Sequence, residues 1–134
     1  MAKQEPFRAD DDLYPQRGSI VNILSVREVQ SFDNMPSDFT RLTKADALRV
    51  AKEYIRINTI CPGLIRTALL GELDEDKGEP AMEDLVSKMA VGRIGLPEEV
   101  AEAALFLTSG KASLITATIL AVDGGVIDAY MYAM

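Results

Sequence analysis

Three short apolar runs, separated by segments of helical character, constrain the fold more than any other feature of the sequence. The first run, Ser19–Val26, is rich in β-branched residues and follows Gly18. The second, Ile55–Cys61, is ended by Pro62-Gly63, and the third is Thr118–Val122. Short β-branched runs bounded by glycine or proline are typical of strands. The sequence therefore predicts three strands, the first of them buried on both faces.

Apolar residues recur at helical spacing between the first two predicted strands. They extend from Phe39 to Tyr54 and predict one helix, which Thr40 or Thr43 is expected to cap. The predicted apolar stripe of this helix is Leu42, Ala45, Leu48, Ala51 and Tyr54.

A second long helix is predicted between the second and third strands. Pro97 followed by Glu98 and Glu99 suits a helix start, because proline fits the first turn and acids favour the positive end of the helix dipole. Gly110 is placed to end this helix. Its predicted apolar stripe is Val100, Ala103, Ala104 and Leu107. The order strand, helix, strand, helix, strand predicts an α/β fold with parallel strands and right-handed helical crossovers.

The 134 residues suit a single domain, which we place at residues 1–134. Residues 1–17 form a polar N-terminal segment, expected to be the end of a helix followed by a loop. Residues 64–90 are expected to form an acidic loop and a short helix through Met89, and residues 126–134 an apolar tail. A three-stranded parallel sheet is thin and has exposed edges, so we expect that the rest of the sheet is missing or comes from a partner.

Composition argues against several classes of function. The net charge is −7, so neither nucleic acid nor an anionic membrane surface is an expected partner. The sequence has no histidine and one cysteine, Cys61, which leaves no internal disulfide and no Cys/His zinc site, and no metal is expected. No apolar run approaches the ~20 residues that cross a bilayer, and the N-terminus is too charged for a signal peptide. A cytoplasmic protein is therefore expected.

Four stretches of the sequence carry a family resemblance. They are GSIVNILSV (18–26), LTKADALRVAKEYIRINTICPGLIRT (42–67), VGRIGLPEEVAEAALFLTS (91–109) and ITATILAVDGG (115–125). In this order they resemble the C-terminal half of the short-chain dehydrogenase/reductase family, with motifs of the fungal type. The resemblance implies a partial Rossmann-like, doubly wound parallel sheet made of about the last three strands and their helices. It also implies NAD(P) as the cofactor.

The resemblance places one catalytic residue in this chain. Ser25 stands where the family has the serine that hydrogen-bonds the reacting oxygen, although a serine here also suits the end of a strand. The family's Tyr-x-x-x-Lys pair is absent, because no tyrosine stands four residues before any lysine. A block that would hold this pair is missing between Gln30 and Leu42. The family's proton transfer therefore has no donor in this chain.

Part of a cofactor site is also implied by the resemblance. By position, Pro62, Gly63, Ile65 and Thr67 match the residues that lie against the nicotinamide, with Ile65 offering backbone groups and Thr67 a hydroxyl. The alternative is a strand-ending turn without a ligand. No two glycines are two residues apart, so the phosphate-binding glycine motif cannot be written. The chain alone is expected to bind NAD(P) weakly at best.

Other residues in the matching stretches receive structural roles. The loop within residues 64–90 matches the family's substrate lid by position, and its acids suit a solvated surface. Asp123-Gly124-Gly125 is expected to shape the turn after the last strand. Cys61 is expected to fill the core, and Asn22 to be structural.

Three interpretations of function remain open. The first is an NAD(P)-dependent oxidoreductase of a ketone or secondary alcohol, in fungal secondary metabolism, that is not competent alone. The second is a non-catalytic pseudoenzyme or interaction module that forms a homo- or hetero-oligomer through the 97–125 region. The third is a truncated gene product.

Overall fold

The structure of the protein is a computed structural model that describes residue 1 and residues 3–9, 12–26, 38–68 and 80–127. Its strands are β1 (Gly18–Ile23), β2 (Ile55–Pro62) and β3 (Ile119–Val122). Its α-helices are α1 (Asp38–Val50), α2 (Pro80–Ser87) and α3 (Pro97–Thr108). Short 3-10 helices follow α1 and α3, at Ala51–Glu53 and Gly110–Ala112.

The three strands form one parallel sheet in the order β1-β2-β3. Gly18 to Ile23 pair with Ile55 to Ile60, and Thr59 to Pro62 pair with Ile119 to Val122. The predicted α/β fold is therefore confirmed, and so are the second and third strands to within one residue at each end.

The two long helices cover opposite faces of β2. Ile57 packs with Ala47 of α1 in the core cluster, whereas the neighbouring Arg56 donates a hydrogen bond to the carbonyl oxygen of Leu107 in α3. Adjacent strand residues point to opposite faces of a sheet, so α1 lies on one face and α3 on the other. Cys61 is fully buried, as predicted.

The buried face of α1 differs from the predicted apolar stripe. Leu42 and Leu48 are 57% and 70% exposed, and the buried residues are Thr40, Thr43 and Ala47. The reason is the chemistry of the strand beneath the helix, because Asn22 of β1 donates from Nδ2 to Oγ1 of Thr43 at 3.1 Å. The two threonines therefore lie inside the helix and do not cap it, since α1 begins at Asp38.

Burial of β1 on both faces is a second prediction that the structure contradicts. Ile20 and Ile23 are 36% and 59% exposed, whereas all of Ile55–Cys61 in β2 is buried. β1 lies at an edge of the sheet, and no strand in the described part of the chain pairs with its outer side. The strand also ends at Ile23 rather than Val26.

The N-terminal segment is not helical at any residue that the structure describes there. Phe7 and Gln16 instead form an antiparallel bridge through two backbone hydrogen bonds of 2.8 Å. Predictions for residues 27–37, 69–79 and 128–134 lie outside the described residues, and these include most of the lid-like loop and of the apolar tail. None of the helices within the described ranges has the length and apolar character needed to cross a lipid bilayer.

Candidate functional site

The predicted site residues lie at the carboxyl edge of the sheet. Ser25 is half-buried two residues beyond the end of β1, and Pro62 ends the neighbouring β2. The amide of Leu24 donates to the carbonyl oxygen of Ile60 at 2.9 Å, which keeps the chain beside β2 as it approaches Ser25. The structure therefore brings Ser25 and the Pro62-Gly63 turn to adjacent strand ends, which is where ligands bind in open α/β sheets.

The loop after β2 is held by three backbone hydrogen bonds. The amide of Gly63 donates to the carbonyl oxygen of Val122 at 3.0 Å. The amide of Gly95 donates to the carbonyl oxygen of Leu64 at 3.0 Å, and the amide of Arg66 donates to the carbonyl oxygen of Gly95 at 2.8 Å. The loop is thus fixed at one end to β3 and in its middle to the segment that precedes α3.

Ile65 lies between the two bonds to Gly95, in a parallel bridge. Because backbone groups alternate sides along an extended segment, its own N–H and C=O point away from Gly95. Neither group has a hydrogen-bond partner among the described residues. One donor and one acceptor side by side match the hydrogen-bonding groups of a primary carboxamide. Thr67 is exposed at the end of this loop.

Gly63 has a structural reason to be glycine. A Cβ atom there would lie 2.7 Å from Cα and 2.8 Å from Cβ of Asp123, which is closer than real side chains come. Asp123 is itself buried, and its two carboxylate oxygens accept hydrogen bonds from the amides of Gly125 at 3.0 Å and Ile127 at 2.9 Å. Asp123 therefore shapes the turn after β3, as predicted, and Gly63 packs directly against it.

An ion pair spans the segment before α3, to which the loop is bonded through Gly95. The guanidinium of Arg93 donates to both carboxylate oxygens of Glu99, at 2.8 and 2.9 Å. Oε2 of Glu99 also accepts the amide of Leu96 at 2.8 Å, at the start of α3. The hydrogen bonds from Arg93 and then from Leu96 lower the pKa of Glu99 to about 2.

This low pKa predicts how acid affects the start of α3. A carboxyl group with a depressed folded-state pKa stabilises the fold above its unfolded pKa, and this contribution is lost as the pH falls through the folded pKa. The melting temperatures of wild type and Glu99→Gln should therefore differ at pH 6 and converge between about pH 4.5 and about pH 2. Thermal unfolding across this range measures the effect. A difference that persists unchanged at pH 2 would contradict it.

Sequence reasoning missed two buried polar residues in the amino-terminal half of β2, which bond the strand to the end of α3 and to the segment between α3 and β3. Arg56 is only 6% exposed, and its burial lowers the pKa of its guanidinium, an effect partly offset by Asp12. Asn58 is fully buried, donates to the carbonyl oxygen of Ile115 at 3.0 Å and accepts the amide of Thr118 at 3.2 Å. The available signal was the polar residues themselves, which alternate with isoleucine along the predicted second strand.

Two cavities lie at opposite ends of the sheet. A cavity of about 90 Å³ lies beside the candidate site, between Ile65, Arg93 and Asp123. A larger cavity of about 430 Å³ lies at the amino end of β1, near Phe7 and Arg17, and none of the predicted site residues lines it. We therefore place the candidate site by its chemistry rather than by cavity size. The described residues include no group of metal-ligating side chains.

Comparison with known proteins identifies relatives over most of the chain. A family model described as enoyl-(acyl carrier protein) reductase matches residues 7–127. A short-chain dehydrogenase of Neurospora crassa is 34% identical over 135 residues, covering 93% of this chain and 49% of that protein. The inactive 2-(S)-hydroxypropyl-CoM dehydrogenase 2 of Xanthobacter autotrophicus is 36% identical over 118 residues, covering 82% of this chain and 51% of that protein.

A solved structure shows the same fold. The gluconate 5-dehydrogenase from Burkholderia cenocepacia, crystallised with NADP and tartrate, matches with a TM-score of 0.69 and 28% identity. The match covers 83% of this chain and 45% of that one. The chain therefore spans about half the length of the relatives it matches.

Proposed function

Because the chain belongs to the short-chain dehydrogenase/reductase family, we propose that it forms the nicotinamide-facing part of an NAD(P)-dependent oxidoreductase site. The substrate class is a ketone or secondary alcohol, as the family resemblance implies. The proposal includes a second part, the rest of the nucleotide-binding fold, without which the site is not competent.

The observation that carries this proposal is the backbone of Ile65. Its N–H and C=O have no partner among the described residues and point away from the segment that anchors the loop. Backbone N–H and C=O groups are strong hydrogen-bonding groups, and at the half-buried Ile65 they are left to bind water or a ligand. The carboxamide of a nicotinamide supplies one acceptor and one donor, so the residues present fit this part of the cofactor.

The remaining residues of the site have defined tasks in this proposal. Pro62 and Gly63 turn the chain so that Ile65 lies at the carboxyl edge, and the Thr67 hydroxyl binds the cofactor at the end of the loop. Ser25 donates its hydroxyl hydrogen to the substrate oxygen and orients it. When bound, the cofactor supplies the hydride. No tyrosine and lysine of the family pattern are present in this sequence to move the accompanying proton.

The open edge of β1 supports the need for a second part. Ile20 and Ile23 of this strand are exposed, although strands of parallel sheets are normally covered. The relatives are about twice as long as the matched region. A polypeptide carrying the rest of their fold would cover β1 and provide the glycine-rich turn that binds the cofactor's phosphates.

NADP titration of the chain, alone and mixed with a complementary fragment, tests the proposal. The fragment is the part of the Burkholderia gluconate 5-dehydrogenase that this chain does not match. Isothermal titration calorimetry should show NADP binding by the mixture that is at least about tenfold tighter than binding by either part alone. Light scattering should show a one-to-one complex. If the complex forms but binds NADP no better than the fragment alone, the proposed function is wrong.

A non-catalytic role is the second candidate. The missing Tyr-x-x-x-Lys pair favours a non-catalytic role. One of the relatives above, the 2-(S)-hydroxypropyl-CoM dehydrogenase 2 of Xanthobacter autotrophicus, is described as inactive. In this role the chain joins the oligomer of an intact homologue through the 97–125 region. Co-purification with a full-length homologue, together with the absence of NADP binding and turnover in the mixture above, would favour this role. A cytoplasmic location and a part in fungal secondary metabolism belong to the first proposal.

A further inference from the structure

We propose that Arg93 and Glu99 are positioning residues that hold the loop carrying Ile65 in its binding geometry. This inference deepens the proposed function, because the same loop presents the carboxamide-binding groups. Neither side chain needs to touch the cofactor. Both act through the backbone of the segment between them.

The segment Arg93–Glu99 is closed into a ring by polar contacts. The bidentate Arg93–Glu99 pair joins its ends, and Oε2 of Glu99 accepts the amide of Leu96 within it. NH1 of Arg93 also donates to the carbonyl oxygen of Ile94 at 3.1 Å. These contacts fix the backbone on both sides of Gly95.

Gly95 connects this fixed segment to the loop through backbone hydrogen bonds. Its amide and its carbonyl oxygen bond Leu64 and Arg66, the two neighbours of Ile65. A Cβ atom on Gly95 would lie 2.7 Å from Cδ1 of Ile65, so the two segments are in close contact. The orientation of the Ile65 backbone therefore depends on a segment whose own geometry is set by the ion pair.

An isolated surface ion pair would be a weak basis for such a role. The side chains of Arg93 and Glu99 are 54% and 41% exposed, and exposed pairs contribute little on average. This pair differs because it is bidentate and shares an oxygen with a helix-capping hydrogen bond. The depressed pKa of Glu99 agrees with this geometry.

Amide hydrogen exchange of the chain without any cofactor tests the inference. The reporters are the amides of Arg66 and Gly95, and the references are the amides of Gly63 and Leu24, which bond to other strands. In Glu99→Gln and in Arg93→Gln, exchange protection of the two reporters should fall by about fivefold or more, while the references stay within about twofold. Glu98→Gln is the matched control, since it removes the same charge from the same helical turn, and the Glu98 side chain makes none of the contacts that close the ring. It should leave the reporters unchanged.

Three results would overturn the inference. Equal losses of exchange protection at the reporter and reference amides would mean that the Arg93–Glu99 pair only stabilises the domain as a whole. A loss in Glu99→Gln without a loss in Arg93→Gln would assign the effect to helix capping alone. Unchanged reporters in both variants would show that Gly95 is fixed without the pair. Because exchange is measured without cofactor, the result is independent of whether the proposed function holds. If NADP does bind the complemented chain, both ring variants should also weaken that binding.

Discussion

Replacing Arg56 with alanine is expected to lower the free energy of unfolding by about 2–4 kcal/mol. The guanidinium is buried and donates to the carbonyl oxygens of Leu107 at 2.8 Å, Ser109 at 2.9 Å and Ile115 at 3.2 Å. It also donates to Oε1 of Gln16 at 3.1 Å. Its loss takes a charged donor from carbonyls at the negative end of α3 and leaves a cavity.

Two opposing terms decide the size of this effect. Burial of the guanidinium disfavours its charged form, as the lowered pKa indicates, and Asp12 offsets only part of this. A hydrogen bond to a charged donor is worth about 1.5–3 kcal/mol net. We expect a total loss of only about 2–4 kcal/mol, because removal of the guanidinium also relieves its desolvation and water reaches some of the released acceptors. Arg56→Lys should recover only part of the loss, because a single ammonium group cannot reach all four acceptors.

Urea unfolding followed by circular dichroism measures the Arg56 effect. Arg49→Ala is the control, since the Arg49 side chain is 81% exposed and, among the residues that the structure describes, its ion-pair partner is Asp46 at 3.9 Å. This control should change the free energy of unfolding by less than about 0.5 kcal/mol. A loss below about 1 kcal/mol in Arg56→Ala would mean that water satisfies the released carbonyls as well as the guanidinium does.

The parts of the fold that sequence could predict are those fixed locally. Pro97 and the acids after it begin α3, and Pro62-Gly63 ends the sheet pairing of β2, because both signals act within a few residues. The buried face of α1 could not be predicted from periodicity. The buried face depends on Asn22 of β1, whose side chain makes a hydroxyl more favourable than an apolar side chain at position 43. Periodicity correctly indicated a helix but not which side of it is buried.

In the candidate site, too, the sequence predicted which residues take part but not the distant contacts that hold them. The family resemblance led to Ser25 and the Pro62–Thr67 loop, and the structure places them at adjacent strand ends. Their roles in binding and catalysis stay predictions. The contacts that hold this loop could not be predicted, because the bonds of Gly95 and the approach of Gly63 to Asp123 join segments about 30 and 60 residues apart. Only a three-dimensional arrangement shows that Arg93, Glu99 and Asp123 support one loop.

Replacing Gly63 with alanine is expected to cost about 2–3 kcal/mol of unfolding free energy even when no cofactor is present. The new Cβ would meet backbone atoms of Asp123, at 2.7 Å from Cα and 3.1 Å from the carbonyl oxygen, and backbone cannot rotate away. Relief requires β3 and its turn to separate from β2. That movement would weaken the hydrogen bond from Gly63 to Val122 and shift the buried Asp123 carboxylate from the amides that it accepts.

Gly18→Ala is the matched control for this prediction, because Gly18 begins β1 and the nearest atoms to its added Cβ belong to the flexible side chain of Met1. It should change stability by less than about 0.5 kcal/mol. Urea unfolding of both variants separates two explanations of a glycine at position 63. A large loss without cofactor means that the glycine is required by contact with Asp123. A negligible loss, together with weakened NADP binding in the complemented chain, would mean that close approach of the cofactor requires it instead. Glycine at this position would then be evidence of binding rather than of packing.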